Sequence, residues 1–303
     1  MAELRTGSVQ ANGLTFHFLE MGEGPLVLCL HGFPDNAYTY STLLPHLAAA
    51  GLRGVAPFMR GYAPTSAAPD GRYQGVLLAQ DAVALITALG AERAFLVGHD
   101  WGAQATYGAA ALAPDRVTKI VTFGASHPGA VRGDLAVSYE RLKGIWHAYF
   151  FQMPFAEQAV AANDYAFVEQ WWRDASPEYD LPPEVIERVK KTFRQPGVVT
   201  AALNYYRHTF HPANRDAALS ALQERVSTAP TPVPTLAFHG TKDRPGRLEA
   251  FNGMDDLFLS GLEKVILPGA GHFVHLERSA EVNPRTVAFF TTSETIPSPS
   301  TKH

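Results

Sequence analysis

Short, fully apolar runs alternate with amphipathic stretches up to about residue 125. Residues 14–20 alternate as an early strand does, and 26–30 and 55–58 are continuous apolar runs of the buried-strand kind. Residues 38–50 and 77–89 have helical spacing and stop at Gly51 and Gly90, residues suited to the position just past a helix. A strand at 95–97, an Ala- and Gly-rich helix at 101–112 and a strand at 117–123 follow. This rhythm predicts an α/β class chain, with a mostly parallel sheet flanked by helices.

The rhythm then breaks. From His127 to about Arg225 the chain is aromatic-rich, helical in spacing and punctuated by prolines. It resumes with a strand at 234–238, a helix near 248–258, a strand at 264–267 and a helix at 283–290. The expected organisation is therefore a core part at 1–126, an inserted helical cap at 127–226 and a second core part at 227–303. The cap would lie over the strands' carboxyl ends, where ligands bind in open α/β sheets. Pro230, Pro232 and Pro234 mark its exit, and a Ser-, Thr- and Pro-rich tail from about 292 is expected to be disordered.

A net charge of −4 gives no reason to expect nucleic acid or an anionic membrane as partner. The one cysteine, Cys29, sits in an apolar run and reads as a small core residue. Residues 1–10 are polar and form no signal-like apolar segment, and no run reaches the ~20 apolar residues of a membrane helix, so a cytoplasmic protein is expected.

The chemistry gathers at turns after strands. Gly98-His99-Asp100-Trp101-Gly102 follows the strand at 95–97. A sharp strand-to-helix turn crowds its middle residue, so the flanks must be small, as Gly98 and Gly102 are. Asp100 stands where the commoner motif has Ser. A carboxylate there attacks carbon and is itself alkylated, which points to an electrophilic sp³ carbon with a leaving oxygen or halide. The resulting ester must be broken by water, and water needs a base. His272, in Pro268-Gly269-Ala270-Gly271-His272-Phe273 after the last strand, suits that role. Asp243, closing Phe238-His239-Gly240-Thr241-Lys242-Asp243, is the carboxylate expected to orient it. His31-Gly32-Phe33-Pro34 follows a buried strand and can aim the Phe33 amide, beside that of Trp101, at a developing oxyanion. No Cys or His cluster has metal-ligand spacing, and no phosphate loop or dinucleotide fingerprint follows a strand, so neither metal nor cofactor is expected.

Together these residues resemble the epoxide hydrolase and haloalkane dehalogenase branch of the α/β-hydrolase fold, over nearly the whole chain. Met59-Arg60-Gly61-Tyr62 is similar to the family's R-G-Y loop. By that resemblance Asp100 is the nucleophile, His272 with Asp243 the base, and Phe33 and Trp101 the oxyanion-hole donors. Tyr206, in Leu203-Asn204-Tyr205-Tyr206-Arg207, takes the position of one of two tyrosines that donate to the epoxide oxygen. The other position, within Trp146-His147-Ala148-Tyr149-Phe150-Phe151-Gln152-Met153-Pro154, is held by His147. One branch of epoxide hydrolases uses such a His/Tyr pair. Tyr149, which would face elsewhere on a helix, is the alternative donor.

The resemblance implies an epoxide hydrolase forming a vicinal diol through an ester on Asp100. The alternatives are a haloalkane or haloacid dehalogenase using the same nucleophile, or a non-catalytic ligand-binding protein of this fold. Phe33 stands where haloalkane dehalogenases place Asn or a comparable polar residue, and Trp101 and Gln104 stand where fluoroacetate dehalogenases place arginines. Tyr149, Phe151, Phe155, Trp171 and Trp172 are expected, with Phe33, to line an apolar pocket. The expected partner is a small apolar epoxide, and the expected state a monomer or homodimer.

Overall fold

The computed structural model describes residues 2–132 and 139–292. One sheet holds eight strands: β1 (Arg5–Ala11), β2 (Leu14–Met21), β3 (Leu26–Leu30), β4 (Arg53–Pro57), β5 (Ala94–His99), β6 (Val117–Phe123), β7 (Thr235–Gly240) and β8 (Leu262–Leu267). Their order is β1-β2-β4-β3-β5-β6-β7-β8. From β4 through β8 neighbours run parallel, while β1 and β2 run antiparallel at one edge. Central positions such as Val27, Leu28, Leu96, Val97, Val121 and Leu236 are fully buried, which is why these strands read as unbroken apolar runs. Cys29 is among them.

The polar segment before residue 11 also contributes, as β1. Asn12 and Gly13, at φ 44° and 76°, form the tight two-residue turn that folds β1 onto β2. Residues 38–50 divide into a 3₁₀ turn, Ala37–Tyr40, and a helix, Leu43–Ala49. Pro45 accounts for the break, since its ring would collide with the carbonyl of Ser41 in a continuous helix. Residues 248–258 divide likewise into a helix, Leu248–Asn252, and a 3₁₀ turn, Asp255–Leu257, with the poor helix former Gly253 between them. The last helix runs Ser279–Thr291. The expected disordered tail falls, beyond residue 292, outside the described residues.

Between β6 and β7 the described residues form helices, turns and loops, with one isolated β-bridge from Thr231 to Phe258 near the exit. Ala156–Ala175, Pro183–Phe193 and Val198–Phe210 pack on one another. The first of these is two helical segments joined through Asn163, Asp164 and Tyr165, all at positive φ. Ser220–Thr228 instead packs on the sheet-flanking helices Gly75–Ala88 and Trp101–Leu112. Among the described residues no helix is long and apolar enough to cross a membrane.

The strand order reverses at β3, whose neighbours are β4 and β5. Loops leaving β3, β5, β6, β7 and β8 therefore meet at one edge of the sheet, beside a topological switch point. The turn after β5 is the tightest of them. Asp100 has φ 51° and ψ −116°, a conformation that non-glycine residues rarely adopt. A Cβ on Gly102 would stand 1.9 Å from the Leu30 carbonyl oxygen, and one on Gly98 would stand 2.4 Å from the Gly102 oxygen.

Backbone cannot yield as a side chain can. Gly102→Ala should therefore lower unfolding free energy by about 3 kcal/mol or more, the upper range for overpacking. Urea denaturation measures this, and an unchanged midpoint would refute so close a contact between β3 and the turn.

Candidate active site

The carboxylate of Asp100 is held differently at its two oxygens. Oδ1 accepts the Phe33 backbone N–H at 2.8 Å, while Oδ2 lies 3.7 Å from His272 Nε2. The Phe33 loop is fixed from below by His31, whose Nε2 accepts the Met59 N–H at 3.0 Å. Trp101 opens the helix after the turn, and its ring meets that of Tyr206 edge-on at 5.1 Å.

His272 Nδ1 is 3.1 Å from both carboxylate oxygens of Asp243. Since a carboxylate only accepts, Nδ1 carries the proton and Nε2 is turned toward Asp100. Burial alone would depress the His272 pKa, but the charges of Asp243 and Asp100 outweigh it and raise it to about 10. Burial alone would raise the Asp243 carboxyl, but His272 outweighs it and holds Asp243 below its usual range, with His239 and the Gly246 N–H, at 2.7 Å, also contributing.

The loop carrying His272 is braced on the helical excursion. The His272 N–H donates to Ala175 O at 3.0 Å, and the Phe273 N–H to Ser176 Oγ at 3.0 Å. Ser176 Oγ donates to Glu277 at 2.7 Å, and the same carboxylate accepts the Gly271 N–H. Trp172 adds a further tie: its ring stacks on Phe273 at 3.5 Å, and its Nε1 donates to Pro34 O at 2.7 Å.

Asp100, Trp101, His147, Tyr206 and His272 line one cavity of about 530 Å³. Of the adjacent tyrosines, Tyr205 turns away and donates to Arg60 O at 2.8 Å, while Tyr206 faces the cavity. Arg60 is itself anchored by a buried bidentate pair with Asp81, at 2.8 and 2.6 Å. Burial and then the Asp100 charge hold the Tyr206 pKa well above the usual phenol value, so its hydroxyl stays protonated. Burial, with the His272 and Arg141 charges, lowers His147 to about 3, so that imidazole is neutral. The rings of His147 and Tyr206 meet edge-on at 5.5 Å.

Other expected pocket residues lie elsewhere. Tyr149 is 38% exposed, on the outer face of the helix Trp146–Phe150, and packs on Phe210. Phe155 is likewise exposed. A one-turn helix that sends His147 and Ala148 inward must send Trp146 and Tyr149 out. Phe33, Phe151 and Trp171 are buried in an aromatic cluster around Tyr206 and His147 rather than along the cavity wall. Trp172 is the brace described above.

Sequence spacing gives no sign of one further group. Asp35, His99 and His275 offer ligand-type atoms within 4.8 Å of one another, fully buried and off the cavity wall. His275 Nε2 lies 2.7 Å from Thr39 Oγ1, and His99 Nε2 donates to His272 O at 3.1 Å. Burial keeps both imidazoles neutral and pushes Asp35 up to about 7. These are the described residues whose donor types could hold a metal ion. They also support the His272 loop from behind.

A family model described as alpha/beta hydrolase fold matches residues 25–279. An epoxide hydrolase of Caballeronia sordidicola is 32% identical, across 95% of this chain and 94% of its own. Epoxide hydrolase 3 of Xenopus tropicalis is 30% identical, across 90% of this chain and 73% of its own. Among solved structures, a laboratory-evolved variant of potato epoxide hydrolase superposes with a TM-score of 0.78 at 27% identity, covering 95% of this chain and 99% of that one.

The buried ion pair has a measurable consequence. An unfolded histidine titrates near 6.5. With a folded value of about 10, the stabilisation from His272 is complete below the unfolded value and is lost as pH rises toward the folded one. Wild-type unfolding free energy should therefore fall between pH 7 and 10 more steeply than that of His272→Gln, by urea denaturation at each pH. Parallel curves would show that no such pair forms.

Proposed function

The chain belongs to the α/β-hydrolase fold family, as a hydrolase of its epoxide hydrolase branch, and from that premise we propose that it opens an epoxide to a vicinal diol through an alkyl ester on Asp100. One observation carries the mechanism: Asp100 Oδ1 is held by an oxyanion-type donor while Oδ2 stays unbonded, facing a cavity shared with Tyr206 and His147.

In this reading Oδ2 attacks a ring carbon and the carbon–oxygen bond breaks. The departing alkoxide takes the Tyr206 proton, while neutral His147 contributes a hydrogen bond. An alkoxide is a much stronger base than even a buried phenolate, so the transfer runs downhill. Esterification removes the Asp100 charge, and with it part of what keeps His272 protonated. The imidazolium proton can then return to the Tyr206 phenolate, leaving a neutral base.

His272 Nε2 next takes a proton from water as the hydroxide oxygen adds to the ester carbonyl carbon. The Phe33 and Trp101 amides receive the oxyanion. Collapse expels the diol oxygen, which takes the proton from His272. The regenerated Asp100 carboxyl then gives its own proton to His272, restoring the resting ion pair. Under this reading the inserted segment 127–226 acts as a cap that supplies Tyr206 and His147 to the departing oxygen.

A dehalogenase would use the same Asp100, with the indole N–H of Trp101, which lines the cavity, as a halide donor. Bromide release from 1,2-dibromoethane, set against diol formation from styrene oxide, separates the two.

Single turnover in ¹⁸O-water should label the Asp100 carboxylate first and the diol mainly in later turnovers. Full labelling of the first diol would exclude the ester. His272→Gln should accumulate a covalent adduct with the mass of enzyme plus epoxide, visible by intact-protein mass spectrometry. Tyr206→Phe should slow adduct formation by about 10²–10⁴-fold, the usual worth of a positioned acid. His147→Phe should reduce turnover where His147→Tyr retains it, and equal rates would remove His147 from the oxygen-binding pair.

A further inference from the structure

The helix Ala156–Ala175 ends against the loop that carries His272, and its end ties that loop at successive residues. Gly271 donates its N–H to both Glu277 carboxylate oxygens, at 3.0 and 2.9 Å, and Glu277 is held by Ser176 Oγ. The His272 N–H goes to Ala175 O and the Phe273 N–H to Ser176 Oγ, each at 3.0 Å. The approach is close: a Cβ on Gly271 would stand 2.5 Å from Ser176 Cα. A backbone bonded at three residues in a row gives His272 little freedom to change its distance from the nucleophile, and catalysis is sensitive to such distances.

One turn earlier on the same helix, Trp172 reaches the opposite loop. Its ring lies 3.5 Å from that of Phe273, with 10° between the planes, while its Nε1 donates to Pro34 O at 2.7 Å. Pro34 directly follows Phe33, whose N–H meets Asp100 Oδ1. Trp172 and Ser176 are 1% and 2% exposed, and neither lines the catalytic cavity. Their influence on a substrate therefore runs through the two loops they join.

Those loops have unequal parts in the two halves of the reaction proposed above. Forming the ester uses Asp100, with Tyr206 and His147 at the leaving oxygen, and these two stand on other helices, Val198–Phe210 and Trp146–Phe150. Breaking the ester needs the His272 imidazole and the Phe33 N–H at one carbonyl group together, the first activating water and the second receiving the oxyanion. That N–H already meets the resting carboxylate, but it counts for more against an oxyanion, whose charge sits on one oxygen rather than two. Resting on that mechanism, we propose that Trp172 and Ser176 are positioning residues for ester hydrolysis. They hold His272 and the Phe33 N–H in register around the Asp100 carbonyl, and contribute little to ester formation.

Rapid-quench single turnovers with styrene oxide, read by intact-protein mass spectrometry, separate formation of the alkyl-enzyme from its breakdown. Trp172→Phe keeps a ring beside Phe273 and removes the bond to Pro34, whereas Ser176→Ala removes a single oxygen. In each, breakdown should slow about five- to tenfold, the worth of one hydrogen bond, while formation stays within about twofold. In the steady state kcat and KM should fall together, as they do when a late step slows. Ser176→Ala, the gentler change, decides the matter if the smaller ring costs the fold. Formation and breakdown slowed alike would mark ordinary core residues and overturn the inference, as would breakdown at the wild-type rate. Diol formed with no alkyl-enzyme in either the wild type or His272→Gln would instead overturn the ester mechanism, and no diol at all the hydrolase reading.

Discussion

Everything at the catalytic edge depends on how closely the turn after β5 approaches the end of β3. The Leu30 carbonyl oxygen occupies the space a side chain at Gly102 would need, and a Cβ on Gly32 would meet the Asp100 side chain at 2.4 Å. Only because these two glycines give up their side chains can the Phe33 amide come within hydrogen-bond distance of Asp100. The same compression holds Asp100 at positive φ and aims its carboxylate off the sheet edge. Such strain persists only where the surroundings over-determine it. Here they do, through His31 beneath one loop and the Trp101–Leu112 helix behind the other.

Within this frame one physical term, burial, gives opposite results at neighbouring groups. His147 and His272 are both buried histidines lining one cavity. Among the described residues no carboxylate lies against His147, which is held neutral, whereas His272 touches Asp243 and faces Asp100 and is held charged. Tyr206, beside Asp100, is kept from ionising. The protonation pattern is therefore set by which side chains the loops bring a carboxylate to. Under the proposed mechanism it changes during a turnover, because Asp100 is there consumed and restored.

Much of this was legible in the sequence where the signal is local. Apolar runs and helical spacing find seven of the eight strands, and β1 escapes because an exposed edge strand has no apolar run, only the Asn12-Gly13 turn beside it. The glycines of the elbow announce a tight turn directly. Spacing on a short helix separates His147 from Tyr149, since two positions along it face different ways. What the sequence hides is assembled from distant parts. Trp172 reads as one more cap aromatic, and nothing local tells that its indole reaches Pro34. Asp35, His99 and His275 come from the loop after β3, the end of β5 and a short helix after β8, so no spacing rule joins them.

Trp172 has a consequence for how a ligand comes and goes. Its ring grips the His272 loop through Phe273 and its N–H grips the Phe33 loop through Pro34, while its helix bonds the His272 backbone. A hinge that lifted this helix would pull two catalytic loops out of register at once. The insertion thus behaves as masonry rather than as a door. Grafting a relative's insertion onto this sheet would exchange the mortar of the active site along with its roof.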